Sequence, residues 1–205
     1  KLMQAKVCGL TTAEQVKTCV DYNANFCGFI LNYSKSHRFI NFQMAKELTE
    51  VKKKNTSYVG VLVEPKKEDF NTFSNLKLDY FQIYGNLRES EVKDIKAEYK
   101  KKIIMAIQVK EEKDLLKYKN FEKVADIILF DSSGLHKSLS WDYNWIKKIP
   151  STINKMMAGN INIDMLENFK EITDIVDVSG ALETNKVKDL NKIKNFLNKV
   201  KLIND

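Results

Sequence analysis

The feature that most narrows what this chain can fold into is an alternation: short apolar runs rich in β-branched residues recur between charged segments with the apolar spacing of amphipathic helices. Eight runs can be read: Met3 to Cys8, Phe26 to Leu31, Tyr58 to Val63, Tyr80 to Tyr84, Ile103 to Val109, Ile127 to Phe130, Asn154 to Ala158, and Ile172 to Val178. Their ends recur at roughly two dozen residues, about what a strand, a helix and two short loops occupy. Runs such as IILF at Ile127 to Phe130 and IIMAI at Ile103 to Ile107 are continuously apolar, as parallel strands covered on both faces are. The pattern predicts an α/β fold, a closed (β/α)8 barrel, with a doubly wound open sheet as the alternative.

Between the runs, Met44, Leu48 and Val51 mark one helix, with Lys52 to Lys54 as its polar end, and Leu190, Ile193, Leu197 and Val200 mark a basic helix near the C-terminus. No linker or composition break divides the chain, and 205 residues with 43% hydrophobic content suffice for one core, so one domain over 1–205 is expected. No stretch reaches the roughly 18 to 20 apolar residues of a membrane helix, and the start, KLMQAKVCGL, lacks the long apolar region of a secretory signal. A soluble, cytoplasmic protein with no membrane partner is expected.

Cys8, Cys19 and Cys27 have no CxxC spacing, and His37 and His136 are far apart, so neither a disulfide framework nor a metal site is predicted. The net charge of +7 comes from lysines interleaved with Glu and Asp along the whole chain. That describes a solvated surface and no nucleic-acid partner, and its sign suits an anionic small substrate.

In a (β/α)8 barrel the chemistry sits where strands end, so the closing residues of each run are the candidates. The first run closes in KVCGLT, which puts Cys8 at the barrel mouth, leaves Gly9 for a tight turn, and offers Thr11 or Thr12 as a helix cap. Lys6, two residues earlier, shares a face with Cys8, and its ammonium would favour the thiolate. A buried, unreactive cysteine fits the same position.

The sixth run closes in ILFDSSG, and a carboxylate behind four apolar residues needs a partner or a task, which makes Asp131 the candidate general acid or else a turn aspartate. Arg38 is one of only two arginines, a residue suited to bidentate capture of a carboxylate and equally at home on a surface. The seventh and eighth runs close in MAGNI and VDVSGALET, small-residue loops whose amides could hold a phosphate or simply turn.

Taken in order, KVCGLT, GFILNYSKSHRFI, VGVLVEP, FQIYG, LFDSS, AGNI, VDVSGALET and VKD resemble the phosphoribosylanthranilate isomerase family from Lys6 to about Asp189. The resemblance implies a TIM barrel of tryptophan biosynthesis. It implies an Amadori rearrangement of N-(5′-phosphoribosyl)anthranilate to 1-(2-carboxyphenylamino)-1-deoxyribulose 5-phosphate, with no cofactor or metal. Cys8 would be the general base and Asp131 the general acid. Arg38 would clamp the anthranilate carboxylate, Gln82 would contact substrate, and Gly159, Asn160, Ser179, Gly180 and Ala181 would cradle the phosphate. The partner is thus a small phosphosugar, and a monomer or homodimer is expected.

The chain departs from the family pattern in four places. Tyr84 stands where a histidine is usual, Asn160 where a second glycine is, Gly180-Ala181 where a serine-glycine pair is, and SGLH at Ser133 to His136 where a glycine-rich stretch is. Other readings are a related phosphosugar barrel such as indole-glycerol-phosphate synthase or the tryptophan synthase α subunit, a basic binding module, and an inactive barrel. The early KVCG cysteine argues against the first, the scattered lysines against the second, and the joint presence of Cys8 and Asp131 against the third.

Overall fold

Parallel strands without polar alternation need cover on both faces, and the chain supplies it by closing its sheet on itself. The computed structural model describes residues 1–132 and 139–205. The barrel strands are β1 (Gln4–Cys8), β2 (Phe26–Ile30), β3 (Ser57–Val63), β4 (Tyr80–Tyr84), β5 (Lys102–Val109), β6 (Ile127–Ser132), β7 (Lys155–Met157) and β8 (Ile175–Val178). They pair in parallel in chain order, and β1 returns to β8 with Lys6 opposite Asp177. The expected closed barrel is the fold, and the open sheet is excluded.

Each strand falls on one of the expected runs, β4 end to end and the others with one or both ends shifted. The last run was expected from Ile172, but the strand begins at Ile175. Thr173 and Asp174 instead bind β7 from the side, the hydroxyl donating to the Lys155 carbonyl at 3.1 Å and the carboxylate accepting from the Lys155 N–H at 2.8 Å.

Alternation along the strands sorts the side chains into two cores. Cys8, Val59, Val61, Tyr80, Tyr84, Ile104, Ala106, Leu129, Met156 and Ile175 fill the lumen. Val7, Phe29, Leu62, Ile83, Ile103, Phe130 and Val176 face outward into the larger core beneath the helices. The helices are α1 (Ala13–Asp21), α2 (Phe42–Thr49), α3 (Lys67–Phe73), α4 (Glu89–Tyr99) and α5 (Leu190–Asn204). Thr12 caps α1, its hydroxyl accepting from the Gln15 N–H at 3.2 Å.

Lys52 to Lys54 were expected as the polar end of α2, but that helix stops at Thr49. The Thr49 hydroxyl bonds back to the Ala45 carbonyl, and the lysines lie in the following loop, where Lys53 pairs with Asp79.

The crossovers after β5, β6 and β7 are 3-10 segments, Glu112–Asn120, Tyr143–Lys148 and Ile163–Asn168, where amphipathic helices were expected. Their apolar residues recur every three positions: Leu115, Tyr118, Phe121; Tyr143, Ile146, Ile149; Ile163, Leu166, Phe169. In a 3-10 helix residues three apart eclipse, so this period lays one apolar stripe on the barrel. A two-stranded hairpin, β9 (Glu183–Thr184) and β10 (Val187–Lys188), precedes α5. Among the described residues no helix is long and apolar enough to cross a membrane.

Candidate active site

The C-terminal ends of the strands surround a cavity of about 430 Å³, and Cys8, Arg38, Gln82, Asp131, Gly159, Asn160, Ser179, Gly180 and Ala181 all line it. The structure therefore brings every nominated residue to one place. Tyr84 and Asp177, which were not nominated, line it too. The Ser133 to His136 departure lies outside the described residues.

At the base of the cavity, lumen-facing parity on adjacent strands sets Lys6 against Asp177, with Nζ 3.3 Å from both carboxylate oxygens. Lys6 is fully buried. Burial works against its charge, and Asp177 as counterion keeps it cationic. Cys8 sits one step above. A Cβ placed on Gly28 would come within 2.8 Å of Cys8 Sγ and 3.3 Å of Lys6 Nζ, so this glycine is what makes room for thiol and ammonium side by side. Burial pushes the Cys8 thiol up, and the pull of Lys6 and Lys188 toward the thiolate does not overcome it. The expectation that Lys6 favours the thiolate is right in sign and too weak in size, because the lysine's charge is already matched by Asp177.

Two strands over from β4, Asp131 projects from β6. Burial raises its carboxyl to about 6, against hydrogen bonds from Tyr84 and from the Ser132 N–H that favour the ionised form. The Tyr84 hydroxyl donates to Oδ2 at 2.6 Å and the Ser132 N–H to Oδ1 at 2.7 Å. Burial and Asp131 push the Tyr84 phenol well above its ordinary value, so it stays a donor. The Gln82 side-chain amide donates to the Tyr84 oxygen at 3.2 Å, while its own Oε1 is buried with no partner among the described residues.

Arg38 lies across Gly9, which holds φ +84 at the turn after β1. Its guanidinium grips Glu183 with two hydrogen bonds, Nε to Oε2 at 2.7 Å and Nη2 to Oε1 at 2.9 Å. His37 reaches the same carboxylate at 3.1 Å, and Lys188 pairs with it as well. Burial would raise Glu183, but Arg38, Lys188 and His37 hold it down at about 2. The hairpin explains this cluster: Lys188 is paired in register with Glu183, across a turn in which Asn185 and Lys186 take φ of 52 and 64. Sequence reading missed Glu183 and Lys188, although that turn carries a recognisable signal in Asn185, a residue tolerant of left-handed backbone.

At the β7 and β8 ends, Asn160 holds φ 54, so asparagine keeps the left-handed turn that glycine would make there. Its amide donates to the Ser140 hydroxyl at 2.9 Å. The Ser179 hydroxyl donates to the Cys8 carbonyl at 3.0 Å and accepts from Lys188.

A buried thiol and a carboxyl raised to about 6 share one barrel mouth, a set suited to proton transfer among other chemistries, and comparison with known proteins identifies the family. Residues 5–199 match the family model described as N-(5′-phosphoribosyl)anthranilate (PRA) isomerase. The chain belongs to this family of isomerases. The N-(5′-phosphoribosyl)anthranilate isomerase of Streptococcus mutans is 30% identical over 98% of this chain and 100% of its own length. That of Clostridium kluyveri is 34% identical over 98% of this chain and 100% of its own. The crystal structure of phosphoribosyl anthranilate isomerase from Thermotoga maritima superposes with a TM-score of 0.87 at 24% identity, covering 98% of this chain and 99% of that one, which shows the shared fold. Within the isomerase, the Asn160 departure leaves the backbone conformation in place, whereas the Tyr84 departure puts a phenol directly on Asp131.

Proposed function

We propose that this chain carries out the Amadori rearrangement of N-(5′-phosphoribosyl)anthranilate in tryptophan biosynthesis, with Asp131 as general acid and Cys8 as general base. The observation that supports it most is the pairing within one cavity of a thiol with a carboxyl raised to about 6, a value at which part of the carboxyl population still carries a proton near neutrality.

Asp131 gives its proton to the ribose ring oxygen as the bond from that oxygen to carbon 1 breaks. The nitrogen lone pair forms the iminium. Its positive charge joins Lys6 and Lys188 in drawing the Cys8 thiol to thiolate against the cost of burial, the thiol proton leaving to solvent at the cavity mouth. The thiolate then takes the proton from carbon 2, and the C–H electrons become the carbon 1 to carbon 2 double bond of the enolamine as the nitrogen recovers its lone pair. Loss of the hydroxyl proton at carbon 2 and gain of one at carbon 1 complete the ketone.

Substrate binding follows from the charges. Arg38 has five N–H donors and commits two to Glu183, which leaves donors on the cavity side for the anthranilate carboxylate. Backbone amides around Gly159, Asn160, Ser179, Gly180 and Ala181 suit the phosphate, at the strand 7 and 8 ends where this fold commonly binds one. The unpartnered Gln82 Oε1 suits a substrate O–H or N–H. All of these groups come from one chain.

The test is the loss of anthranilate-type fluorescence on mixing purified protein with freshly generated phosphoribosylanthranilate. Turnover is expected in the wild type, and Cys8→Ser or Asp131→Asn should each lower kcat by about 10²- to 10⁴-fold with the barrel intact by circular dichroism. Wild-type turnover in either variant removes that residue from the mechanism.

A further inference from the structure

β4 turns Gln82 and Tyr84 into the lumen at the residue pair expected by strand alternation, and together they address Asp131 from the barrel wall. A phenol has one proton and two lone pairs. One lone pair of Tyr84 takes the Gln82 amide at 3.2 Å, and the phenol proton goes to Asp131 Oδ2 at 2.6 Å. Oδ1 already accepts from the Ser132 N–H at 2.7 Å. Tyr84 stands as the donor to the carboxylate, and the Gln82 amide donating to the phenol oxygen favours that sense of the bond. Each carboxylate oxygen therefore already accepts one hydrogen bond, and a proton on Asp131 takes a lone pair that neither bond uses.

We propose that Tyr84, held by Gln82, is the positioning residue of the acid step: it fills the wall side of Asp131 and turns the carboxyl proton out toward the sugar ring oxygen. This rests on Asp131 being the acid. Among the described residues, the other titratable groups facing Asp131 are Lys6 on β1, Asp177 on β8 and Tyr143 of the Tyr143–Lys148 segment, with Cys8 lining the same cavity. Among the described residues, Tyr84 is the side chain that hydrogen-bonds the carboxylate.

A hydrogen bond donated to the ionised carboxylate favours that form, so removing it raises the Asp131 pKa. The working form is the protonated one, hence activity falls as pH rises through this pKa. Tyr84→Phe should move the descending limb of the kcat profile to higher pH by about one unit, and lower kcat about tenfold with KM changed less than about twofold.

The same shift is read without turnover from the infrared carboxyl band, identified by its loss in Asp131→Asn. Tyr84→His, whose ring can donate one N–H, should return the midpoint toward wild type. If Tyr84→Phe does not fold, Tyr84→Leu serves: it likewise removes the donor to Oδ2, and the infrared midpoint should rise. An unmoved midpoint in whichever variant folds overturns the proposal. An inactive wild type whose infrared midpoint still shifts in Tyr84→Phe overturns the acid step itself, and an active wild type with unmoved midpoints overturns the role of Tyr84 alone.

Discussion

With Asp131 raised to about 6 from an ordinary 3.8, the folded chain holds a proton over an interval in which the unfolded chain has already released it. Stability contributed by this group is therefore greatest below about 4 and declines as pH rises toward 6, above which the full penalty of a buried carboxylate is present. The gap corresponds to about 3 kcal/mol at 1.36 kcal/mol per unit, and to roughly 2 kcal/mol after allowance for solvent reaching the open cavity. Asp131→Asn, which keeps an oxygen for Tyr84, should accordingly be more stable than wild type by roughly that amount at pH 8 in denaturant melts, and no more stable at pH 4. An equal difference at both pH values would show that packing, and not ionisation, separates the two proteins. Cys8, Asp131 and Arg38 were legible in the sequence because each is an unusual residue type at the end of an apolar run or just beyond it. Asp177 and Glu183 were not, because their meaning lies in Lys6 and Arg38, 171 and 145 positions away, and only barrel closure brings them together.

Elements read well where one period dominated. The strands were legible from continuous apolar runs, and α5 from Ile193, Leu197 and Val200, but the crossovers after β5, β6 and β7 carry a strict period of three that was read as an ordinary helical stripe. The hairpin of β9 and β10 was missed because two-residue strands have no hydrophobic alternation to show, yet it positions the two charges that meet Arg38. It places Glu183 under Arg38 and Lys188 beside both, so that the guanidinium faces the cavity already fixed at Nε and Nη2. Glu183→Gln leaves that fork only a neutral, single-oxygen partner. The expected result is a KM raised about tenfold, the loss of one charge-assisted hydrogen bond, with kcat nearly unchanged because Cys8 and Asp131 are untouched. A variant with unaltered KM would mean that Arg38 holds its position through Gly9 and the β2 loop alone.

For the whole molecule, closure is completed by α5, whose Asn204 amide bonds both the N–H and the carbonyl of Met3 and so ties the last helix to the approach of β1. Among the described residues the closed barrel leaves three cations at the cavity, Lys6, Arg38 and Lys188, nearly matched by Asp177, Glu183 and a partly ionised Asp131. A substrate carrying a phosphate and a carboxylate would therefore feel little net attraction from these groups until it is inside, where hydrogen bonds take over. What draws it from a distance is the remainder of the net charge of +7, spread over surface lysines. Fields of exposed charges are screened within about 10 Å at 0.1 M salt and about 3 Å at 1 M. kcat/KM should then fall several-fold between about 20 mM and about 500 mM sodium chloride while kcat, governed by the buried thiol and carboxyl, stays level. A flat kcat/KM would assign capture to the Arg38 fork and the backbone amides at the β7 and β8 ends, and would make the lysine-rich surface irrelevant to catalysis; a falling kcat would mean that salt reaches the lumen and that the acid and base are less enclosed than their raised pKa values require.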